Sequence, residues 1–240
     1  MRRSECVIIG FLIYAAVSAA LGDRLVALLL YGSAARGTHV PGRSDMNTLL
    51  ICDAVDEALF ARVDSAVREW RRAGHPAPLI LTEREWQTSA DAFPIEYEDM
   101  REAHRLLAGR DPWRGVTVQR EHLRRQLEHE LMGKLVRLRQ AFAALRGDPK
   151  QLAQVLVGSA AGFFTMLRAT LRLAGKTPPA APDALLREAG ALMGFAPERL
   201  AALEAHARGV GQLKLGPGDP LPAEYLAAVA HVAEFVNGLG

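Results

Sequence analysis

Four residues set close together carry the chain's best chance of chemistry: Gly32, Ser33, Asp45 and Asn47. Gly32, with Gly37 five residues on, permits backbone conformations and close approaches that a Cβ would block. Between them Ser33 offers a hydroxyl, and neighbouring main-chain N–H groups can point at phosphate oxygens. Asp45 and Asn47 lie two apart, so on a strand both side chains project from one face. A hard divalent cation wants such oxygen donors, preferably anionic ones. Turn and strand together suit a nucleotide phosphate accompanied by a metal ion.

The elements that must hold these residues are legible around them. Residues 25–31, LVALLLY, form a continuous apolar run, the pattern of a strand buried on both faces. Residues 48–52 read as the following strand. Residues 56–73 have helical spacing, with Ala58, Leu59, Val63, Ala66, Val67 and Trp70 on one stripe, and Gly74-His75-Pro76 ends them. Residues 78–81 read as a short strand, and Thr82 with Glu85 three positions later makes a capping-box pattern. The segment 93–100, FPIEYEDM, alternates and reads as a further strand, with Ile95 and Tyr97 on one side and Glu96 and Glu98 on the other. A charge-rich helix is expected after it, ending near Gly109.

Composition changes near residue 118. Residues 119–146 are expected to form a long amphipathic helix, with Leu123, Leu127, Leu131, Leu135, Leu138 and Phe142 inward. Helices are expected over 151–175, 183–192, 197–208 and 222–237, two of them with Pro in the first turn. The fold class expected is an α/β N-terminal domain with a mixed sheet and flanking helices over 1–114, plus an all-α helical bundle over 115–240.

At this point a resemblance is visible. Gly32-Ser33, Arg36-Gly37 and Ser44-Asp45, with a strand before and after, resemble the signature of the DNA polymerase β-type nucleotidyltransferase superfamily, in its small bacterial branch related to kanamycin nucleotidyltransferase. The likeness covers roughly the first hundred residues. It implies an enzyme that moves a nucleoside monophosphate from a nucleoside triphosphate (NTP) to a hydroxyl acceptor, using Mg²⁺ or Mn²⁺. It implies that Gly32, Ser33, Arg36, Gly37 and Ser44 bind the nucleotide. For Arg36 the residue itself leaves two roles open, a phosphate contact or an ion pair with an acid on the surface. The family holds its metal with three acids, two in an Asp-x-Asp strand and a third on a later strand. Here Asp45 is the first, Asn47 stands at the second, and Glu96 is the choice for the third because IEYEDM resembles that later strand; Glu98 is held in reserve. An amide brings no negative charge and cannot bridge two cations as a carboxylate does. The alternative is therefore a degenerate nucleotidyltransferase fold acting as a nucleotide- or partner-binding regulatory module.

The remaining features narrow the classes. Half of the 240 residues are apolar, 23% are charged and the net charge is +2, which suits an ordinary globular protein and gives no strong nucleic-acid signal. Cys6 and Cys52 have neither metal-ligand spacing nor a disulfide framework, and a cytoplasmic compartment is consistent with them. Arg2 and Arg3 before the apolar stretch 6–21 imitate a secretory signal, but the stretch leads straight into the strand that carries the Gly-Ser turn. It reads as a buried first helix, with no membrane span; its lack of a polar face points to a further cover, such as a second copy in a homodimer. Arg124 with His129, and Arg199 with His206, resemble a ribonuclease motif of helical bundles, although solvated helix faces explain both pairs.

Overall fold

The computed structural model describes residue 13, residues 15–40, residue 42 and residues 44–239. The expectation for residues 1–12 lies outside these. The chain divides into two units, residues 1–118 and 119–240.

In the first unit a helix, α1, covers residues 15–21 and leads into strand β1, Leu25–Tyr31. A four-residue helix, α2 (Ser33–Arg36), follows, and then strand β2, Asn47–Cys52. Helix α3 (Glu57–Arg72) is capped by the Asp56 side chain, which accepts from the Leu59 N–H. Strand β3 (Leu79–Thr82) runs into helix α4 (Glu83–Thr88), where Thr82 and Glu85 form the expected reciprocal capping box. The sheet order is β3-β2-β1-β4, with β4 spanning His104–Gly109. β1 is antiparallel to β2 and β4, while β2 and β3 are parallel. The sheet is therefore mixed.

Residues 93–100 differ from the expectation. They lie in helix α5, Pro94–Glu102, and the strand comes afterwards as β4, where a helix was expected. The alternation of Ile95 and Tyr97 is real, but buried Pro94, Tyr97 and Met100 recur every three residues, a helical spacing. Pro94 opens the helix with its φ preset, and Glu96 sits in the first turn. β4 itself is defined by its pairing with β1, a long-range contact that local pattern does not announce.

Each face of the sheet has its own core. Leu28, Leu30, Leu50 and Cys52 pack with Ile13, Val17 and Leu21 and with Leu59, Val63, Ala66 and Trp70 of the α3 stripe; Val67 is half-buried against them, and Ala58 is exposed instead of inward. On the other face Leu29, Leu49 and Ile51 meet Trp86, Tyr97 and Met100. There Trp86 and Tyr97 stack with ring centroids 4.3 Å apart, and the Tyr97 hydroxyl donates to the Trp86 carbonyl. Burial pushes the Cys52 thiol up to about 11, so it is a packed core residue and a poor nucleophile.

The second unit contains only helices among its described elements: α6 (Arg120–Leu145), α7 (Pro149–Leu173), α8 (Pro182–Met193), α9 (Glu198–Ala207) and α10 (Leu221–Asn237). The leucine stripe of α6 is buried as its spacing requires, while Phe142 near the end of the helix is only half-buried. Opposite it, Arg124 and Arg125 form ion pairs with Glu121 and Glu128 one helical turn away. Arg199 pairs with Glu224, so the arginine of each ribonuclease-like pair is already engaged. Among the described residues α7 alone is long and apolar enough to cross a membrane by length and composition. It packs against α6, α9 and α10, with Phe163, Leu167 and Leu171 fully buried. Ser159 on α7 ties three helices: its carbonyl accepts from the Lys134 ammonium, and its hydroxyl bonds the Tyr225 hydroxyl at 2.8 Å.

Candidate functional site

β1 ends at Tyr31, and there the chain turns sharply. Gly32 has φ +77°, and its N–H donates to the Ala103 carbonyl at 3.1 Å, which hangs the turn on the start of β4. A Cβ on Gly32 would lie 3.4 Å from the Asn47 amide nitrogen, so the Asn47 side chain rests against the turn. Ser33 opens α2; its carbonyl accepts from Gly37 and Thr38, and Gly37 is left-handed at φ +78°. Ser44 closes the next loop. Its N–H donates to the Val40 carbonyl, and its hydroxyl accepts from the Val40 N–H at 3.1 Å.

Arg36 is committed. Its guanidinium donates to the Asp99 carboxylate on α5 at 2.9 Å, with the two side chains only 7% and 15% exposed. Of the two roles open to it, the structure fills the ion pair, which clamps α2 onto α5. Arg36→Ala leaves the Asp99 carboxylate without this guanidinium in a nearly dry place. The expected cost is about 2–4 kcal/mol. The urea midpoint followed by tryptophan fluorescence will report it, and Arg36→Lys is expected to recover less than half.

Across the sheet the register sets three residues in a row: His104, Tyr31 and Asn47. Asp45 is exposed just before β2. Glu96 lies on α5, not on a strand, yet it reaches this neighbourhood: burial first, and the Glu96 charge second, hold the Tyr31 phenol above its ordinary range. His39 and His75 surround Asp45. Burial holds both imidazoles below the usual histidine range, with the Asp45 charge opposing it. Sequence reasoning passed over Tyr31, His39, His75 and His104, because only strand pairing and loop folding bring them here.

The donor set can be tested against a two-cation centre. Among the described residues no group of three or more His, Cys, Asp or Glu side chains is arranged to hold a metal ion. β4 carries no carboxylate. Its residue in the row, His104, accepts from the Trp113 indole N–H at 3.1 Å through Nε2 and donates through Nδ1 to the Met100 carbonyl at 3.0 Å. These two bonds fix one neutral tautomer and occupy both nitrogens. The second strand position is an amide. The residues present do not fit a pair of bridged cations.

The fold is that of a nucleotidyltransferase, a mixed four-stranded sheet with flanking helices followed by a helical C-terminal region. The same fold is seen in the spectinomycin adenyltransferase AAD(9) from Enterococcus faecialis, in a crystal structure with ATP and spectinomycin. The TM-score is 0.56 over 98% of this chain and 99% of that one, at 10% sequence identity. No protein-family model matches the sequence. No curated protein matches it either.

Proposed function

We propose that this chain is a catalytically degenerate nucleotidyltransferase-fold protein, one that binds a nucleoside triphosphate at the Gly32–Ser33 turn and acts as a nucleotide-dependent regulatory module. The observation that carries the reading is Asn47 at the strand position where transfer needs a carboxylate, in register with Tyr31 and His104. Gly32, Ser33, Gly37 and Ser44 supply the turn and loop backbone around the phosphates, and Arg36 positions that turn from behind through Asp99. Asp45 supplies a carboxylate that can accept from hydroxyl or amine groups of the ligand, and Glu96 adds its charge beside Tyr31. The buried free thiol of Cys52 suits the reducing cytoplasm.

A second reading is favoured by one observation, the extent of the structural likeness over both units. In it Asp45, Asn47 and Glu96 would hold one divalent cation, Mg²⁺ or Mn²⁺, and a nucleoside monophosphate would pass from the NTP to a hydroxyl acceptor with release of pyrophosphate. One experiment separates the two. The pure protein is titrated with ATP and GTP by calorimetry, with Mg²⁺ and with EDTA, and labelled NTP is followed into itself and into aminocyclitol and protein acceptors. Binding that EDTA leaves intact, without transfer, supports the module. Transfer that EDTA and Asp45→Ala abolish supports the enzyme, and absence of nucleotide binding under both conditions overturns both.

A further inference from the structure

The helical unit contains a cavity of about 740 Å³ between the end of α6, the start of α7 and the loop that precedes α10. That volume falls within the range of small-molecule sites, roughly 300–1,000 Å³. Phe142, Leu152, Leu215 and Pro220 supply apolar wall, and the charged residues in the lining are Arg146 and Asp219. Arg146 is exposed at the rim and makes no hydrogen bond or ion pair with the described residues. Asp219 is occupied differently: its carboxylate accepts from the Leu221 N–H at 2.9 Å and so caps the first turn of α10.

The walls are stiff. Pro149, Pro217, Pro220 and Pro222 line the cavity with their φ angles preset, and Gly218 turns the loop at φ +76°. A preset wall loses little freedom on binding, which favours affinity for a small ligand. We infer that this cavity is a binding site for a small aromatic or alicyclic monocarboxylate, its ring between Phe142 and Leu152 and its carboxylate on the Arg146 guanidinium. Charge selects the class. A planar guanidinium matches a carboxylate with two parallel N–H bonds. Asp219, carrying the opposite sign nearby, disfavours a dianion, and an uncharged ring would leave Arg146 unused. The site does not depend on the nucleotide reading, since it lies wholly in residues 142–223.

The test is calorimetry on the full chain with naphthoate, and with naphthamide as its uncharged counterpart. Naphthoate is expected to bind one-to-one with a dissociation constant on the order of 0.1 mM, a ligand of this size gaining a modest amount per atom. Naphthamide is expected to bind about tenfold more weakly, the difference carried by the charged hydrogen bonds. Arg146→Gln should erase the preference for the acid while leaving amide binding in place. Ala143→Trp and Ala223→Trp, at exposed positions on opposite walls, should each fill the cavity and abolish binding with the circular dichroism spectrum unchanged. No binding of naphthoate, binding that survives both tryptophans, or equal loss for acid and amide in Arg146→Gln would overturn the assignment.

Discussion

Gly109→Ala is expected to cost the first unit about 4 kcal/mol or more, enough to leave it largely unfolded. Two effects add. Gly109 closes β4 at φ +81°, where an L side chain costs roughly 1–2 kcal/mol. A Cβ there would also stand 2.1 Å from the Val26 carbonyl oxygen, 2.7 Å from its carbon and 2.9 Å from the Ala27 Cα. These are backbone atoms of β1, so no rotamer change relieves the clash; the two strands must separate. Separation would break the bond from the Arg110 N–H to the Val26 carbonyl, now 2.9 Å, and disturb the β1–β4 register that carries Tyr31 and His104. Gly115→Ala is the control, with φ +82° and nothing within 4 Å of its added Cβ. It should lose about 1 kcal/mol. Trp70, Trp86 and Trp113 all lie in residues 1–118, so fluorescence during urea unfolding reports this unit directly. Equal losses for the two alanines would refute the close-approach argument.

The same strand pair shows what the sequence could and could not disclose. β1 and β2 were legible because long apolar runs bracket a glycine turn, and each residue's burial follows from its own neighbours in sequence. The α6 stripe is legible because the same spacing repeats over about four turns, from Leu123 to Leu138. α5 and β4 were not. Their short segments satisfy both periods, and the decision rests on β1 offering an unpaired edge to residues 104–109. The site inherits this limit. Ser33, Asp45 and Asn47 are near one another in sequence, so the motif announced them. His75 marks the end of a helix in the sequence, yet the loop before β3 brings it close enough to Asp45 for that charge to act on its imidazole. Arg36 had two chemically equal roles until α5 brought Asp99 to it. The resemblance implies a third acid on a strand, but Glu96 lies on α5, and the strand in the row presents His104.

Asn47→Asp is expected to give the protein a cation response much larger than that of the parent. The change is nearly isosteric, and the side chain already rests against Gly32, so the new carboxylate occupies the place of the amide beside the turn. Without metal it stands near Asp45 and the Glu96 charge that acts on Tyr31. At about 6 Å and a near-surface dielectric such a like-charge pair costs on the order of 1–3 kcal/mol. The metal-free variant should therefore melt several degrees below the parent. Adding Mn²⁺ should restore the loss, since a ligand at about 100 times its dissociation constant stabilises by about 2.7 kcal/mol. The parent should show little response. Label transfer from NTP, if the missing charge is what silences the site, should rise at least tenfold in the variant and vanish again in the Asp45→Asn double change. Cation binding without transfer would locate the deficiency at His104, whose two hydrogen bonds hold a neutral ring where a third oxygen donor would be needed. No cation response at all would mean that Asp45 and residue 47 do not face a common point, and the nucleotide reading would lose its strand.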